Sequence, residues 1–133
     1  MKKTILTLLI LIATVSLNAA QYRNALEEPP TSDSPVGVYL QFQKAAAKED
    51  LEAMRSLSTG HVSSMLEHEK AVKNYMTRAK DIDWSKPIMW AHKIDGDIAK
   101  IGIKYKQITN GKTFNVMSYS KKVDGMWKFS GTD

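Results

Sequence analysis

The spacing of apolar side chains changes once along the chain, near Asp83. Between residues 35 and 80, apolar positions recur every three or four residues, as they do on the buried face of a helix. After Asp83, apolar and polar residues alternate, as they do in strands with one buried face. Helices followed by strands predict an α+β domain, with the helices packed on one face of a sheet.

Three helices are predicted in the first part. Ser34 followed by Pro35 has the pattern of an N-cap and a first helical turn. Asp50 is placed to cap a short second helix, and a capping-box spacing predicts a third helix over residues 64–80. Gly37 costs the first helix about 1 kcal/mol relative to Ala, so we expect tertiary packing to stabilise that helix.

The alternating runs in the second part are separated by dipeptides that favour tight hairpin turns. Asn-Gly and Asp-Gly readily adopt the positive φ angles that such turns require. We therefore predict a curved, four-stranded antiparallel sheet. The three dipeptides are Asp95-Gly96, Asn110-Gly111 and Asp124-Gly125.

Residues 1–20 have the three parts of a signal peptide. Two lysines precede an apolar run over residues 5–15, and small residues end the segment at Ala19 and Ala20. The run is shorter than the about 20 residues that a membrane-spanning helix needs. We therefore expect export to the periplasm or the medium, cleavage near Ala19-Ala20, and no stable membrane anchor.

Composition indicates how the rest of the chain is organised. Residues 21–33 include adjacent prolines and no apolar periodicity, which predicts a linker or N-terminal arm, and residues 34–133 suffice for a single α+β domain. The absence of Cys excludes disulfides and thiolate metal sites. Two lysines of the predicted signal peptide contribute to the formal charge of +5, so the remainder carries +3. Because its lysines are dispersed, we expect no nucleic-acid partner.

Two stretches of the predicted domain share a pattern with a known family. They are Pro35, Val38, Phe42, Ala45, Ala46, Asp50, Leu51, Met54 and Leu57 at the start, and the run from Asp124 to Phe129 at the end. In these positions the chain resembles the nuclear transport factor 2-like (cystatin-like) superfamily, in particular small exported bacterial members of unknown function. The resemblance covers roughly Ser34 to Ser130. It implies a cone-shaped fold with a cavity between the helices and a curved sheet.

The sequence departs from this family at two places. Glu49 stands where the family usually has Gly, which puts the geometry of that turn in doubt. The sequence also ends soon after the strand that contains Trp127, so we expect no fifth strand or C-terminal helix to close the cavity. In enzymatic relatives the cavity holds an Asp general base and a Tyr or acid donor.

Candidate ligand-binding residues are the aromatic and imidazole side chains of the predicted strands. No Asp or Glu falls on the apolar face of a strand, so we assign no catalytic residue and no cofactor. His61 and His68 lack a third ligand for zinc, so we assign no metal site. The candidates are Trp90, His92 and Tyr105, which we expect to point inward, and Tyr119, whose strand face the pattern leaves open.

Lysines recur on the outer face of one predicted strand, at Lys100, Lys104 and Lys106. They are candidates for a surface that contacts an anionic or protein partner. The alternative is that they keep a two-sided sheet soluble and prevent pairing at its edges.

These features favour an exported, non-catalytic binding or accessory module. It would bind a small apolar ligand in the cone or a protein partner on the sheet, and it could form a homodimer. One alternative is a cofactor-free isomerase, cyclase or dehydratase, which requires His92 or Asp83 to face a cavity near a Tyr. The other is an envelope inhibitor or immunity-type interaction protein that uses the lysine-bearing surface.

Overall fold

The α+β class predicted from the sequence is confirmed by a computed structural model that describes residues 21–132. The predicted signal peptide, residues 1–20, lies outside the described residues. No helix among the described residues is long and apolar enough to cross a membrane. The helices are α1 (Pro35–Ala47), α2 (Leu51–Ser56), α3 (Gly60–Met65) and α4 (Glu69–Lys80), and the strands are β1 (Arg23–Asn24), β2 (Met89–Asp95), β3 (Ile98–Lys106), β4 (Thr113–Val123) and β5 (Met126–Phe129).

The strands form one open antiparallel sheet in the order β1-β2-β3-β4-β5. The predicted count of four is corrected to five, because Arg23 and Asn24 of the predicted arm pair with β2. A strand of two residues has no alternation that a sequence pattern could reveal. Trp90 stabilises this strand: its Nε1 donates to the Glu28 carbonyl at 2.8 Å, and the Arg23 guanidinium lies 5.3 Å from the centre of its ring.

The predicted caps of α1 and α2 and the β4–β5 hairpin turn are confirmed. The predicted capping box at Ser64 is wrong, because Ser64 lies inside α3, and the β3–β4 connection is a loop over residues 107–112 rather than a tight turn. The Ser34 hydroxyl accepts a hydrogen bond from the Gly37 amide at 3.0 Å, and Asp50 accepts one from the Ala53 amide at 3.1 Å. In the β4–β5 turn, Asp124 and Gly125 both have positive φ, at 51° and 79°. This combination matches a tight hairpin turn whose twist suits the flanking strands.

The predicted third helix over residues 64–80 is wrong at its start, because the chain breaks between α3 and α4, whereas its end at Lys80 is confirmed. His68 has an extended backbone with φ −108° and ψ 120°. Leu66 and Ala79 are both buried in the core. At about 100° per residue, one straight helix would place these two side chains about 140° apart around its axis. The break lets both side chains reach the core.

The core lies between α1 and the inner face of the sheet, with Phe42 near its centre. The Phe42 ring makes edge contacts with Phe129 at 5.0 Å and with Tyr75 of α4 at 5.5 Å between ring centres. On β4 the buried Ser120 hydroxyl donates to the Pro35 carbonyl at 3.0 Å, which fixes the start of α1 over the sheet. These contacts leave space between α4 and the β3–β4 pair.

Candidate functional site

A cleft of about 290 Å³ lies between α1, α4 and the free side of β4. Its helical side comes from two residues of α1, four positions apart, and two residues of α4, three positions apart. Residues at these spacings project from the same face of a helix. Its sheet side comes from inward-facing residues of β3, β4 and β5 and from Asn115 and Met117 at the free edge of β4. The side chains used in the argument below are Tyr39, Gln43, Tyr75, Arg78, Tyr105 and Phe129.

A second depression of about 500 Å³, which we call the groove, adjoins the cleft at the end of α4. Arg78, Tyr105 and Phe114 line both spaces, so the groove continues into the cleft. Two apolar side chains of its lining are exposed, Ile108 by 60% and Phe114 by 42%. Exposed apolar side chains that line a concave surface are typical of a ligand site.

Arg78 contributes a positive charge where the cleft meets the groove. Within residues 21–132, no salt bridge involves its guanidinium. Burial raises the pKa values of Tyr75 and Tyr105, and the Arg78 charge opposes both shifts. The nearby Asp81 carboxylate accepts hydrogen bonds from the amide and the hydroxyl of Thr109, each at 2.9 Å. Arg78 is therefore available to an anionic group of a ligand.

The inner end of the cleft is polar but not ionised near neutral pH. Tyr39 is buried, and burial raises the pKa of its hydroxyl well above the usual value, with a further rise from Tyr105. A hydrogen bond with the Gln43 side chain opposes that rise. A cleft lined in this way offers neutral hydrogen-bonding groups and aromatic rings. No carboxylate or imidazole occurs among its described lining residues.

The four predicted ligand-binding residues do not share one surface. Trp90, His92 and Tyr105 lie on the inner face, because they pair across the sheet with Ile103, Ile101 and Phe114. Tyr119 pairs with Lys100 and lies on the outer face. Of the four, Tyr105 lines the cleft and the groove, whereas the rings of Trp90 and His92 lie at the β1 side of the sheet, 5.4 Å apart between centres and tilted by 55°. Their binding of a ligand stays a prediction.

His92 is half-buried beside β1, and its buried Nδ1 has no hydrogen-bond partner among the described residues. Burial lowers the pKa of His92 below its usual value of 6.5, and the Arg23 charge lowers it further. Both effects disfavour the imidazolium in the folded protein.

This lowered pKa predicts a loss of stability under mildly acidic conditions. Below about pH 6.5 the unfolded chain takes up a proton at His92 that the folded chain resists, so the free energy of unfolding falls with pH until the lowered pKa is reached. Urea unfolding between about pH 7.5 and about pH 5 measures this loss, and His92→Gln should make the profile flatter. His61→Gln, at an exposed position of α3, is the matched control. An unchanged slope in His92→Gln would contradict the prediction.

The three predicted partner-surface lysines lie on the outer face of β3, since the intervening residues Ile101, Ile103 and Tyr105 are buried on the inner face. The Lys104 ammonium lies 4.1 Å from the centre of the Tyr22 ring, and Lys106 approaches the Gly111 carbonyl at 3.5 Å. Their role toward a partner stays a prediction.

The sequence analysis missed the helical side of the cleft. Tyr39 and Gln43 are four residues apart, and Tyr75 and Arg78 are three apart, so each pair occupies one helix face. The sequence feature that could have indicated these residues is an aromatic side chain and a polar side chain together on a mostly apolar helix face. The described residues contain no cluster of three or more His, Asp or Glu side chains that could hold a metal ion.

No protein-family model matches this chain, and comparison with curated proteins finds no match. The argument for function therefore depends on the geometry of the site.

Proposed function

We propose that this protein is an exported, non-catalytic binding module, and that the cleft and the groove hold a small amphipathic ligand with an anionic group. The open sheet with helices on its inner face supports a cone of the nuclear transport factor 2-like type. Glu49 has φ 57°, in the left-handed region that the family's usual Gly adopts readily. This agreement supports the assignment to that superfamily.

The observation that carries the proposal is the position of Arg78 between aromatic surfaces. The guanidinium forms no salt bridge with any described residue and stands where the cleft opens into the groove. A planar guanidinium pairs well with a carboxylate or phosphate through parallel hydrogen bonds. The apolar part of the ligand would lie against Phe114 and Phe129, with Ile108 covering it from the groove.

Binding is favoured over catalysis because the described lining of the cleft has no carboxylate or imidazole, and the Asp81 carboxylate of the groove accepts hydrogen bonds from the Thr109 amide and hydroxyl. An isomerase, cyclase or dehydratase of the cofactor-free type needs a titrating group within reach of the substrate. His92 lines neither the cleft nor the groove. The Asp83 carboxylate accepts hydrogen bonds from the Ser85 amide and hydroxyl, and these bonds lower its pKa. A carboxyl group with a lowered pKa is a weak base.

The first test is native mass spectrometry of the protein purified from its exported fraction. A bound amphiphile appears as excess mass that disappears when the protein is denatured. The second test is calorimetric titration with dodecanoate, which combines an apolar chain with a carboxylate. Dodecanol has the same chain without the charge and serves as the matched ligand. If neither compound binds and the native protein carries no excess mass, the proposal is wrong.

Arg78→Gln should weaken dodecanoate binding by about 10- to 100-fold, because a hydrogen bond to a charged group contributes about 1.5–3 kcal/mol. Dodecanol binding should change little. Arg78 is exposed and forms no salt bridge with a described residue, so the folded state should tolerate the change. Lys73→Gln, which removes an exposed charge from the same helix, is the control. Equal losses for both ligands would argue against charge recognition by Arg78.

A further inference from the structure

The first half of β4 lies at an edge of the sheet as far as the structure describes it. On one side, β3 pairs with β4 from Thr113 to Lys121. On the other side, β5 pairs with β4 only from Ser120 to Val123. Among the described residues, no strand lies beside the free side of residues 113–117, which we call the β4 edge.

The backbone of the β4 edge is oriented for pairing with another strand. The Tyr119 carbonyl accepts hydrogen bonds from the amides of Ser130 and Gly131 at 3.0 and 3.1 Å, so it points away from β3. Backbone groups of alternate residues in an antiparallel strand point to the same side. The amides and carbonyls of Asn115 and Met117 therefore also point away from β3, toward the unpaired side.

The side chains of the β4 edge do not protect it. Native sheets block exposed edges with lysine, proline, bulges or a covering segment. The sequence Thr-Phe-Asn-Val-Met has no charge and no proline, although charged residues make up 25% of the chain. Phe114 is 42% exposed and Met117 is 50% exposed. An uncharged, partly apolar edge favours association with another strand.

We propose that the β4 edge pairs with the β4 edge of a second copy of this chain, antiparallel across a two-fold axis. In the register centred on Asn115, Asn115 faces the partner's Asn115, and Thr113 faces the partner's Met117. The outward backbone groups then form hydrogen bonds.

Charge favours a second copy as the occupant. Pairing of identical edges brings identical segments together, so a lysine-bearing edge would place like charges close to one another. Elsewhere the sheet carries lysines on β3, on the second half of β4 and on β5. In the register centred on Asn115, the paired segment runs from Thr113 to Met117 and contains no lysine.

Analytical ultracentrifugation over a wide range of protein concentration tests the association. We expect the average mass to rise from one chain to two. Asn115→Lys places two lysines opposite each other, and Asn115→Pro removes the outward amide without removing a hydrogen bond to β3. Both variants should remain monomers. Asn115→Thr keeps an uncharged strand former at this position and should still dimerise, which makes it the matched control.

Amide hydrogen exchange then tests the location of the interface. In the parent chain, the Asn115 and Met117 amides should exchange more slowly as protein concentration rises, whereas in Asn115→Lys their rates should not depend on concentration. A parent chain that stays monomeric at every concentration overturns the proposal. A dimer in which these two amides remain unprotected also overturns it, because the interface then lies elsewhere.

Discussion

Phe42→Ala should lower the free energy of unfolding by about 3–5 kcal/mol, the usual cost of removing a buried aromatic side chain. Phe42 is 0% exposed, and its ring contacts Tyr75 of α4 and Phe129 of β5. One side chain therefore connects α1, α4 and the last strand of the sheet. The change leaves a cavity that these elements can only partly fill. Aromatic pairs add about 0.5–1.5 kcal/mol beyond the area they bury.

Urea unfolding followed by circular dichroism measures this loss. Leu26→Ala is the matched control, since Leu26 is a large apolar residue that is 74% exposed. That variant should unfold within about 0.5 kcal/mol of the parent chain. If the two variants lose similar stability, Phe42 does not have the central position in the core that its contacts indicate.

Gly37→Ala should destabilise the protein by about 1–3 kcal/mol, the usual cost of forcing an extra methyl group into a packed site. Gly37 lies in the first turn of α1, where Ala would ordinarily improve helix propensity by about 1 kcal/mol. Here a β-carbon would overlap the Thr31 carbonyl oxygen. That oxygen accepts hydrogen bonds from the Ser34 amide and hydroxyl, so it cannot move without loss of the helix cap.

The critical observation is whether Gly37→Ala lowers or raises the stability of the protein. Thermal unfolding of the variant and the parent chain, measured side by side, shows which. Gly111→Ala is the control, because Gly111 has φ 65° and a β-carbon there would meet nothing within 4 Å. Its cost should come from backbone conformation alone, about 1–2 kcal/mol, because a β-carbon in the left-handed region crowds the following carbonyl oxygen. A stabilised Gly37→Ala variant would mean that the Thr31 segment yields easily and that the arm does not pack tightly on α1.

The sequence predicted much of the local structure because local chemistry determines it. Ser34 and Asp50 cap their helices with their own side chains, which a pattern of a few residues can identify. Asp124 and Gly125 accept positive φ angles, so the β4–β5 turn was also predictable. The alternation along β3 separated its buried isoleucines from its lysines for the same reason.

The parts that sequence reasoning missed depend on contacts between distant segments. The break before α4 arises because Leu66 and Ala79 must both reach one core. β1 exists because Arg23 and Glu28 contact Trp90, more than 60 residues later. Neither set of contacts produces a periodic pattern of apolar residues in the sequence.

The sequence by itself determined that helices precede the four long strands, and it determined the caps of α1 and α2, the β4–β5 turn and the buried face of β3. The tertiary structure decided which side chains share a site. Tyr105 was predicted to face a cavity, but its neighbours Tyr39 and Arg78 come from two helices far from it in the chain. Packing of α1 and α4 on the sheet brings these three together and leaves Tyr119 on the opposite face. A residue pattern reports which face of its own element is buried, whereas a site depends on how separate elements pack.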